Sequence, residues 1–382
     1  MFCPMKEQTL SHDEIEWLQS ALLRWFRDKR RSLPWRIERD WYKVFLSEFL
    51  LQQTQVSQAL PYFEKFYRRF PSIHHLAEAD EDTVLALWAG LGYYARARNM
   101  LKAAREIVQH FAGKFPRDYA QALSLPGIGP YTASAILSLA FDLPLPVIDG
   151  NVQRVITRLF GIADDLRQTR TLRRIRAICE KILPTKQPGA FNEALMELGA
   201  MVCTPTQPDC SHCPLNTWCA ARKTQSIERI PFKSAAGRKQ KRFHWVLVIR
   251  YRQNLLLVKR PASAMLGSMW EFPVISVESG KKLETLPRNL LTTLNAHIQN
   301  PMIFPEQTHI YSHIHLRYRA AALQAAKPFV FSSDFYEQQK WLAPQEIPRL
   351  ALHSAHKKIL QSEAFQMWWE KNTPKESADK DQ

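Results

Sequence analysis

Residues Leu125 to Asn151, LPGIGPYTASAILSLAFDLPLPVIDGN, constrain the fold more than any other stretch of the chain. Gly127 and Gly129 flank Ile128 in a turn that calls for a permissive backbone, and the apolar run from Tyr131 to Phe141 predicts a helix starting directly after it. A glycine turn that opens a helix points unpaired amide groups outward, where the helix dipole also favours an anion such as a phosphate. Pro144 and Pro146 end that helix and fix an extended segment. The segment delivers Asp149 twenty residues after Gly129, with Gly150 and Asn151 at the start of the next helix. One helix therefore joins a phosphate-gripping turn to a carboxylate.

A chain of 382 residues exceeds one ordinary domain, so two domains with a linker are expected. Its 52 Lys and Arg against 36 Asp and Glu leave a net charge of +16, which favours a polyanionic partner such as nucleic acid over a membrane surface. No uncharged apolar run reaches transmembrane length, and MFCPMKEQTL lacks the apolar core of a signal peptide. A monomeric cytoplasmic protein is expected, nucleoid-associated if bacterial. Four of the six cysteines crowd between positions 203 and 219, which in a reducing compartment points to metal rather than disulfides.

Helical periodicity dominates up to residue 201. Ser11 and Glu14 have capping-box spacing ahead of a helix over 12–29, LPWR forms a turn, and a second helix over 42–56 carries Glu48 among apolar neighbours. Further helices are predicted at 61–69, 80–89, 94–111, 118–123, 150–159, 167–182 and 188–201, with no strand before 240. Residues 222–242 are polar and basic, end in RKQKR and read as a linker. Beyond them WVLVIRYR, NLLLVKR, THIYSH and HLRYRAAAL are short β-rich runs, joined by helices predicted at 281–297 and 354–369. The expected organisation is an all-α domain (1–221), the linker (222–242), an α+β domain (243–370) and a disordered tail (371–382).

Cys203, Cys210, Cys213 and Cys219 are spaced C-x6-C-x2-C-x5-C. Zinc suits four thiolates, although only Cys210 and Cys213 form the short knuckle that zinc sites usually pair. Cys3 and Cys179 are left over and expected to be inert.

LPGIGPYTA followed by VIDGNV resembles the helix-hairpin-helix, Gly/Pro-rich loop and aspartate of the base-excision DNA glycosylase superfamily, and the cysteine spacing resembles the four-iron four-sulfur loop of its endonuclease III and MutY branch. SEFLLQQTQV, GLGYYARARN and FNEALMELGAMVC closely resemble the motifs of MutY-type adenine DNA glycosylases, in the same order across residues 10–220. The loop TPTQPD inside the cysteine cluster departs from relatives in carrying no Lys or Arg.

Breaking an N-glycosidic bond leaves positive charge on the sugar, so the chemistry needs a nearby carboxylate and an acid for the departing base. The resemblance implies Glu48 as that acid, buried and so protonated, Asp149 as the stabiliser of the oxocarbenium ion or its adduct, and Tyr131 assisting between them. It places Trp35, Arg36 and Glu193 around the adenine. Gln52, Gln53, Thr54, Leu91 and Tyr93 would wedge into the duplex and contact the lesion, while Gly127, Gly129 and Asn151 would also contact DNA. Lyase-capable relatives carry a lysine where this chain has Tyr131, so a monofunctional enzyme is expected.

The segment NLLLVKRPASAMLGSMWEFP resembles the Nudix-like domain of the same family. The glutamate cluster of the Nudix catalytic signature is absent from residues 267–300, which argues against a magnesium-dependent pyrophosphatase. YSHIH (311–315) matches the family's Phe-Ser-His loop for 8-oxoguanine with Tyr311 in place of Phe, which implies Ser312 and His313 as lesion contacts. The expected substrate is duplex DNA with adenine opposite 8-oxoguanine or guanine, and the expected cofactor one four-iron four-sulfur cluster. An endonuclease III-like lyase and a non-catalytic DNA-binding protein are the rivals; the first predicts a lysine after the hairpin, the second the loss of Glu48 or Asp149.

Overall fold

The computed structural model describes residues 10–235, 239–286, 298–311 and 313–372. Cys3, Arg238, Ser312, most of the expected helix at 281–297 and the tail from 373 lie outside the described residues. By contacts the chain divides into two compact units, one built from residues up to Glu78 with Asn99–Ala236, the other from Ala79–Arg98 with the chain from Gly237 onward.

Helices α1 (His12–Lys29), α2 (Trp41–Leu51), α3 (Val56–Arg69), α4 (Ile73–Glu78), α5 (Glu81–Leu87), α6 (Ala95–Phe111), α7 (Tyr119–Ser124), α8 (Pro130–Phe141), α9 (Gly150–Phe160), α10 (Thr169–Ile182), α11 (Pro188–Met201) and α12 (Ala220–Lys223) precede the first strand. The capping box at Ser11 and Glu14 forms as expected. Leu18, Leu22 and Phe26 on one face of α1 meet Val152 and Ile156 of α9, Ile175 and Cys179 of α10, and Leu195 and Leu198 of α11 in one apolar core.

Four expectations for the chain up to residue 242 need correction. The helix predicted over 42–56 ends at Leu51, because the polar run QQTQ offers no apolar face to bury, and Gln53 turns the chain with φ at +56°. α3 then begins at Val56 rather than Pro61. Residues 79–98, expected in the helical domain, group with the second unit, where Asp82 pairs with Lys259 and Arg98 donates to the Gly267 carbonyl. The basic stretch after Arg222 is not a free connector throughout: Ser226 and Ile230 are buried, Arg158 donates to the Ile230 carbonyl, and Leu166 donates to that of Phe232.

The second unit is built on a mixed sheet ordered β3 (Trp270–Glu271), β2 (Asn254–Lys259), β1 (Gln240–Tyr251), β7 (Ile314–Ala325), β5 (Ile298–Ile303). Off this path β4 (Val274–Val277) pairs with β1, β6 (Gln307–Ile310) with β7, and β8 (Gln338–Leu342) with β2. β1 and β7 run parallel in register from Gln240 against Ile314. Val246 and Val248 pack into one core and Trp245, Leu247 and Ile249 into another, so both faces of β1 are covered and its apolar run is continuous. The helix predicted over 354–369 is two, α13 (Ser354–Leu360) and α14 (Glu363–Lys371), because the Ser362 hydroxyl caps the second by accepting from the Phe365 amide at 3.3 Å.

Candidate active site

The hairpin between α7 and α8 needs one permissive residue, not two. Gly127 sits at φ +75°, and a Cβ there would lie 2.6 Å from that of Asn99 and 3.1 Å from the Phe49 ring. Gly129 adopts ordinary extended backbone as the N-cap of α8, with open space where a Cβ would be. Ile128 between them is buried, which fixes the turn.

After α8 the extended segment toward Asp149 is held by Asn192 of α11, a residue that sequence reasoning missed. Its amide nitrogen donates to the Ser138 hydroxyl and the Leu145 carbonyl, both at 2.8 Å, while its oxygen accepts from the Val147 amide at 3.1 Å. Asp149 then caps α9, accepting from the Val152 amide at 2.7 Å and the Asn151 side chain at 2.8 Å. Asn151 in turn accepts from Arg154, which also donates to the Gly199 and Cys203 carbonyls. Both polar ends of Asn151 are thus engaged by neighbouring side chains, Asp149 on one side and Arg154 on the other. Gly199 permits this approach of α11, since a Cβ there would lie 2.6 Å from that of Asn151.

One cleft of about 910 Å³ in the helical unit gathers most of the expected site: Glu48, Tyr131, Asp149, Trp35, Arg36, Glu193, Gln52, Gln53, Thr54 and Asn151 all line it. Gly127, Gly129, Leu91, Tyr93 and His313 do not. Leu91 and Tyr93 belong to the other unit; Leu91 is buried, and Tyr93 is exposed with φ at +49°. Gln53 and Tyr93 are two of the eleven non-glycine residues with positive φ among the described residues, a conformation costing roughly 1–2 kcal/mol for an L-residue. His313 is exposed next to the Tyr311–Ile314 turn.

Glu48 is 3 % exposed, and its carboxyl pKa is pushed up to about 8, first by burial. The negative charges of Asp149 and Glu193 add to the rise, while a hydrogen bond with Tyr131 opposes it. Asp149 also lies above the ordinary aspartate range because burial outweighs its hydrogen bonds and the nearby Arg154. Burial raises the Tyr131 phenol as well, so it stays a neutral donor to Glu48. At neutral pH the cleft therefore holds a protonated carboxyl beside a second, hydrogen-bonded one, the division that general-acid chemistry needs.

Opposite these groups lies an ion-pair network only partly foreseen. Arg36 bonds Glu193 through Nε at 3.1 Å and Glu197 through Nη2 at 3.1 Å, and Arg31 grips Glu197 at 2.7 and 2.8 Å. Glu197 carried no sequence signal beyond ordinary helix polarity, and Arg31 none beyond that of a basic residue just past the end of α1.

The four cysteines of the loop after α11 line a small void of about 30 Å³ with Arg158 and Arg222. Arg158 donates to the Cys203 sulfur at 3.5 Å and to the Thr204 and Pro205 carbonyls. The TPTQPD loop, which carries no Lys or Arg, is thus braced by a cation from α9. Burial pushes the Cys213 thiol up to about 12, so thiolates there need a cation to stabilise them. Four sulfur donors, a void and an arginine on one sulfur fit a thiolate-bound metal group.

Among the described residues, the trio of His, Cys, Asp or Glu donors within 4.8 Å of one another is Glu271, His353 and His356. Glu271 already accepts from Arg260 at 2.7 Å, Tyr336 at 2.9 Å and His353 at 2.9 Å, and the Phe272 amide occupies Nδ1 of His356 at 3.0 Å. These lone pairs are spent within the protein, and the trio is a closed polar network.

Residues 46–185 match the family described as HhH-GPD superfamily base excision DNA repair protein, and residues 244–362 match the NUDIX domain. An adenine DNA glycosylase of Buchnera aphidicola subsp. Schizaphis graminum is 35 % identical over 294 residues, covering 77 % of this chain and 84 % of that protein. The human adenine DNA glycosylase is 32 % identical, covering 91 % and 74 %. Among solved structures, a thermostable thymine-DNA glycosylase aligns with a TM-score of 0.51 at 26 % identity, covering 56 % of this chain and 98 % of its own.

Proposed function

The chain belongs to the adenine DNA glycosylases of the helix-hairpin-helix base-excision repair superfamily, and from that premise we propose that it removes adenine mispaired with 8-oxoguanine or guanine by a hydrolysis in which Glu48 is the acid and Asp149 the electrostatic partner. The observation that carries this reading is the pair of carboxyls in one cleft, Glu48 holding its proton to about pH 8 and Asp149 fixed by the start of α9.

Adenine flips into the cleft, since its reacting atoms are out of reach inside a duplex. Glu48 donates its proton to the base as the bond between N9 and the sugar C1′ breaks and the bonding pair leaves with the adenine. Asp149, as a carboxylate, stabilises the developing oxocarbenium ion electrostatically or by a transient bond to C1′ that breaks as water arrives. Water then adds to C1′, and its proton returns to the carboxylate of Glu48. Tyr131 holds Glu48 in place through their hydrogen bond. Having a phenol and no amine at that position, the site lacks the nucleophile for a Schiff base, which supports a monofunctional enzyme.

Cys203, Cys210, Cys213 and Cys219 would hold one four-iron four-sulfur cluster. A single zinc ion, with Zn–S near 2.3 Å, holds its sulfurs about 3.8 Å apart. Among the described residues no three of these sulfurs lie within 4.8 Å, which suits a larger group. When bound, the cluster supplies a covalent clamp that closes the loop after α11. Ser312 and His313 are proposed as contacts to the oxidised base.

The test is alkali-revealed strand cleavage of duplexes with adenine opposite 8-oxoguanine, guanine or thymine. Cleavage before alkali would overturn the monofunctional reading, and equal rates on all three duplexes would overturn the mispair. Iron analysis after anaerobic purification should give about four atoms per chain; zinc in their place would overturn the cluster.

A further inference from the structure

Glu193 and Glu197 lie one helical turn apart on the same face of α11, so two carboxylates share one buried wall of the cleft. Their surroundings differ in a way that gives them different tasks. Glu197 is 1 % exposed and accepts four hydrogen bonds: Oε1 from the Arg31 amide at 2.9 Å and Nε at 2.8 Å, Oε2 from Arg31 Nη2 at 2.7 Å and Arg36 Nη2 at 3.1 Å. A carboxylate accepts about four such bonds, so Glu197 has nothing left for a ligand. Glu193 gives only Oε1 to Arg36, and no described residue pairs with its other oxygen.

Arg36 stands between them. Its Nε goes to Glu193, its Nη2 to Glu197 and its Nη1 to the Arg31 carbonyl at 3.4 Å. A guanidinium near a single carboxylate prefers to fork onto both oxygens. Here the fork is prevented, because Nη2 is already committed to Glu197.

We propose that Glu197 is the positioning residue for base selection: by holding one arm of Arg36 it keeps Arg36 from closing on both oxygens of Glu193, leaving Glu193 Oε2 as an acceptor for the exocyclic amine of the flipped base. The inference rests on the adenine reading above and adds to it the residue that keeps the acceptor open. A purine with a carbonyl in the amine's place would set two acceptors face to face, and an unsubstituted purine would leave the carboxylate oxygen buried without a partner.

Single-turnover excision is measured on duplexes with adenine or unsubstituted purine at the same position opposite 8-oxoguanine, since both bases depart by protonation. Glu197→Gln should lower the adenine-to-purine rate ratio roughly tenfold or more, the size of one hydrogen bond to a charged group, while the purine rate stays within about threefold. Glu193→Gln should lower the ratio alike, and the double variant should lower it no further. Equal slowing on both bases would mean a structural role only and overturn the proposal, as would ratio losses that multiply in the double variant. If Glu197→Gln does not fold, Arg36→Lys serves instead. It keeps the charge but lacks the rigid guanidinium fork that holds Glu193 and Glu197 on separate nitrogens, and an unchanged ratio there also overturns the proposal. Wild-type protein releasing no adenine would sink the functional reading itself, whereas release with a ratio unmoved by Glu197→Gln sinks this inference alone.

Discussion

Glu48 in the helical cleft and Glu271 in the sheet unit are both almost fully buried, at 3 % and 1 % exposure, yet they sit on opposite sides of the ordinary glutamate range. Glu48 is raised to about 8 because burial meets one phenol and two like charges. Glu271 lies below the ordinary range although burial pushes it up, because His353, Arg260 and Tyr336 together outweigh that push. Burial alone therefore does not make a site. What distinguishes the cleft is unspent capacity: a retained proton on Glu48 and an open oxygen on Glu193, beside about 910 Å³ of space.

The largest expected effect breaks the pair apart by function. Glu48→Gln and Asp149→Asn should each reduce single-turnover adenine release at least about 10³-fold with lesion-duplex binding nearly unchanged, the size of losing an essential acid or charge stabiliser. Near wild-type excision in either variant would refute its role. Glu271→Gln should do the reverse, keeping excision within a few-fold while costing about 1–3 kcal/mol in urea unfolding, because it takes the charge from a buried acceptor that bonds the partly exposed Arg260. A neutral result there would mean the network is dispensable.

A smaller effect concerns pH and stability. Native Glu48 keeps its proton to about pH 8, whereas unfolded chains release theirs near 4.5, so this group's contribution declines as pH rises between those values and is flat above them. Glu48→Gln removes the dependence. Its stability gain over wild type should be absent below about pH 4.5, grow through the window and reach ~3 kcal/mol at pH 7. A gain independent of pH in denaturant titrations would show that Glu48 is not held protonated. The smallest effect sharpens the same point: the Tyr131 hydrogen bond lowers the Glu48 pKa, so Tyr131→Phe should move the alkaline limb of the pH–rate profile upward by less than about one unit. A downward shift would contradict the geometry.

The cleft was legible in sequence to the extent that its parts sit in local patterns. The proline segment, the cap at Asp149 and the apolar helix around Glu48 each announce themselves within a dozen residues. The first half of β7 likewise carries its own alternation, whereas β1 reads as a continuous apolar run covered on both faces. Asn192, Glu197 and Arg31 were not legible, since an asparagine or glutamate on a helix looks the same whether it faces solvent or braces a segment some 45 residues away, as Asn192 does for Val147. Gly129 misled for a related reason: its spacing suggested strain, but the backbone there is extended and the demand falls on Gly127 alone. The true end of α2 was hidden because glutamines are acceptable in helices, and only the left-handed Gln53 records the turn.

The grouping of residues 79–98 with the second unit means the polypeptide passes from one unit to the other three times, after Glu78, after Arg98 and after Ala236. A protein threaded in this way cannot be divided by a single cut. Protease nicking between Ala235 and Lys239 should yield two fragments that co-elute under native conditions and separate only in denaturant, because the amino-terminal fragment carries α5 and with it the Asp82–Lys259 pair. Deleting everything beyond the nick would strip α5 of the residues it packs with, so a shortened chain is a different protein rather than half of this one.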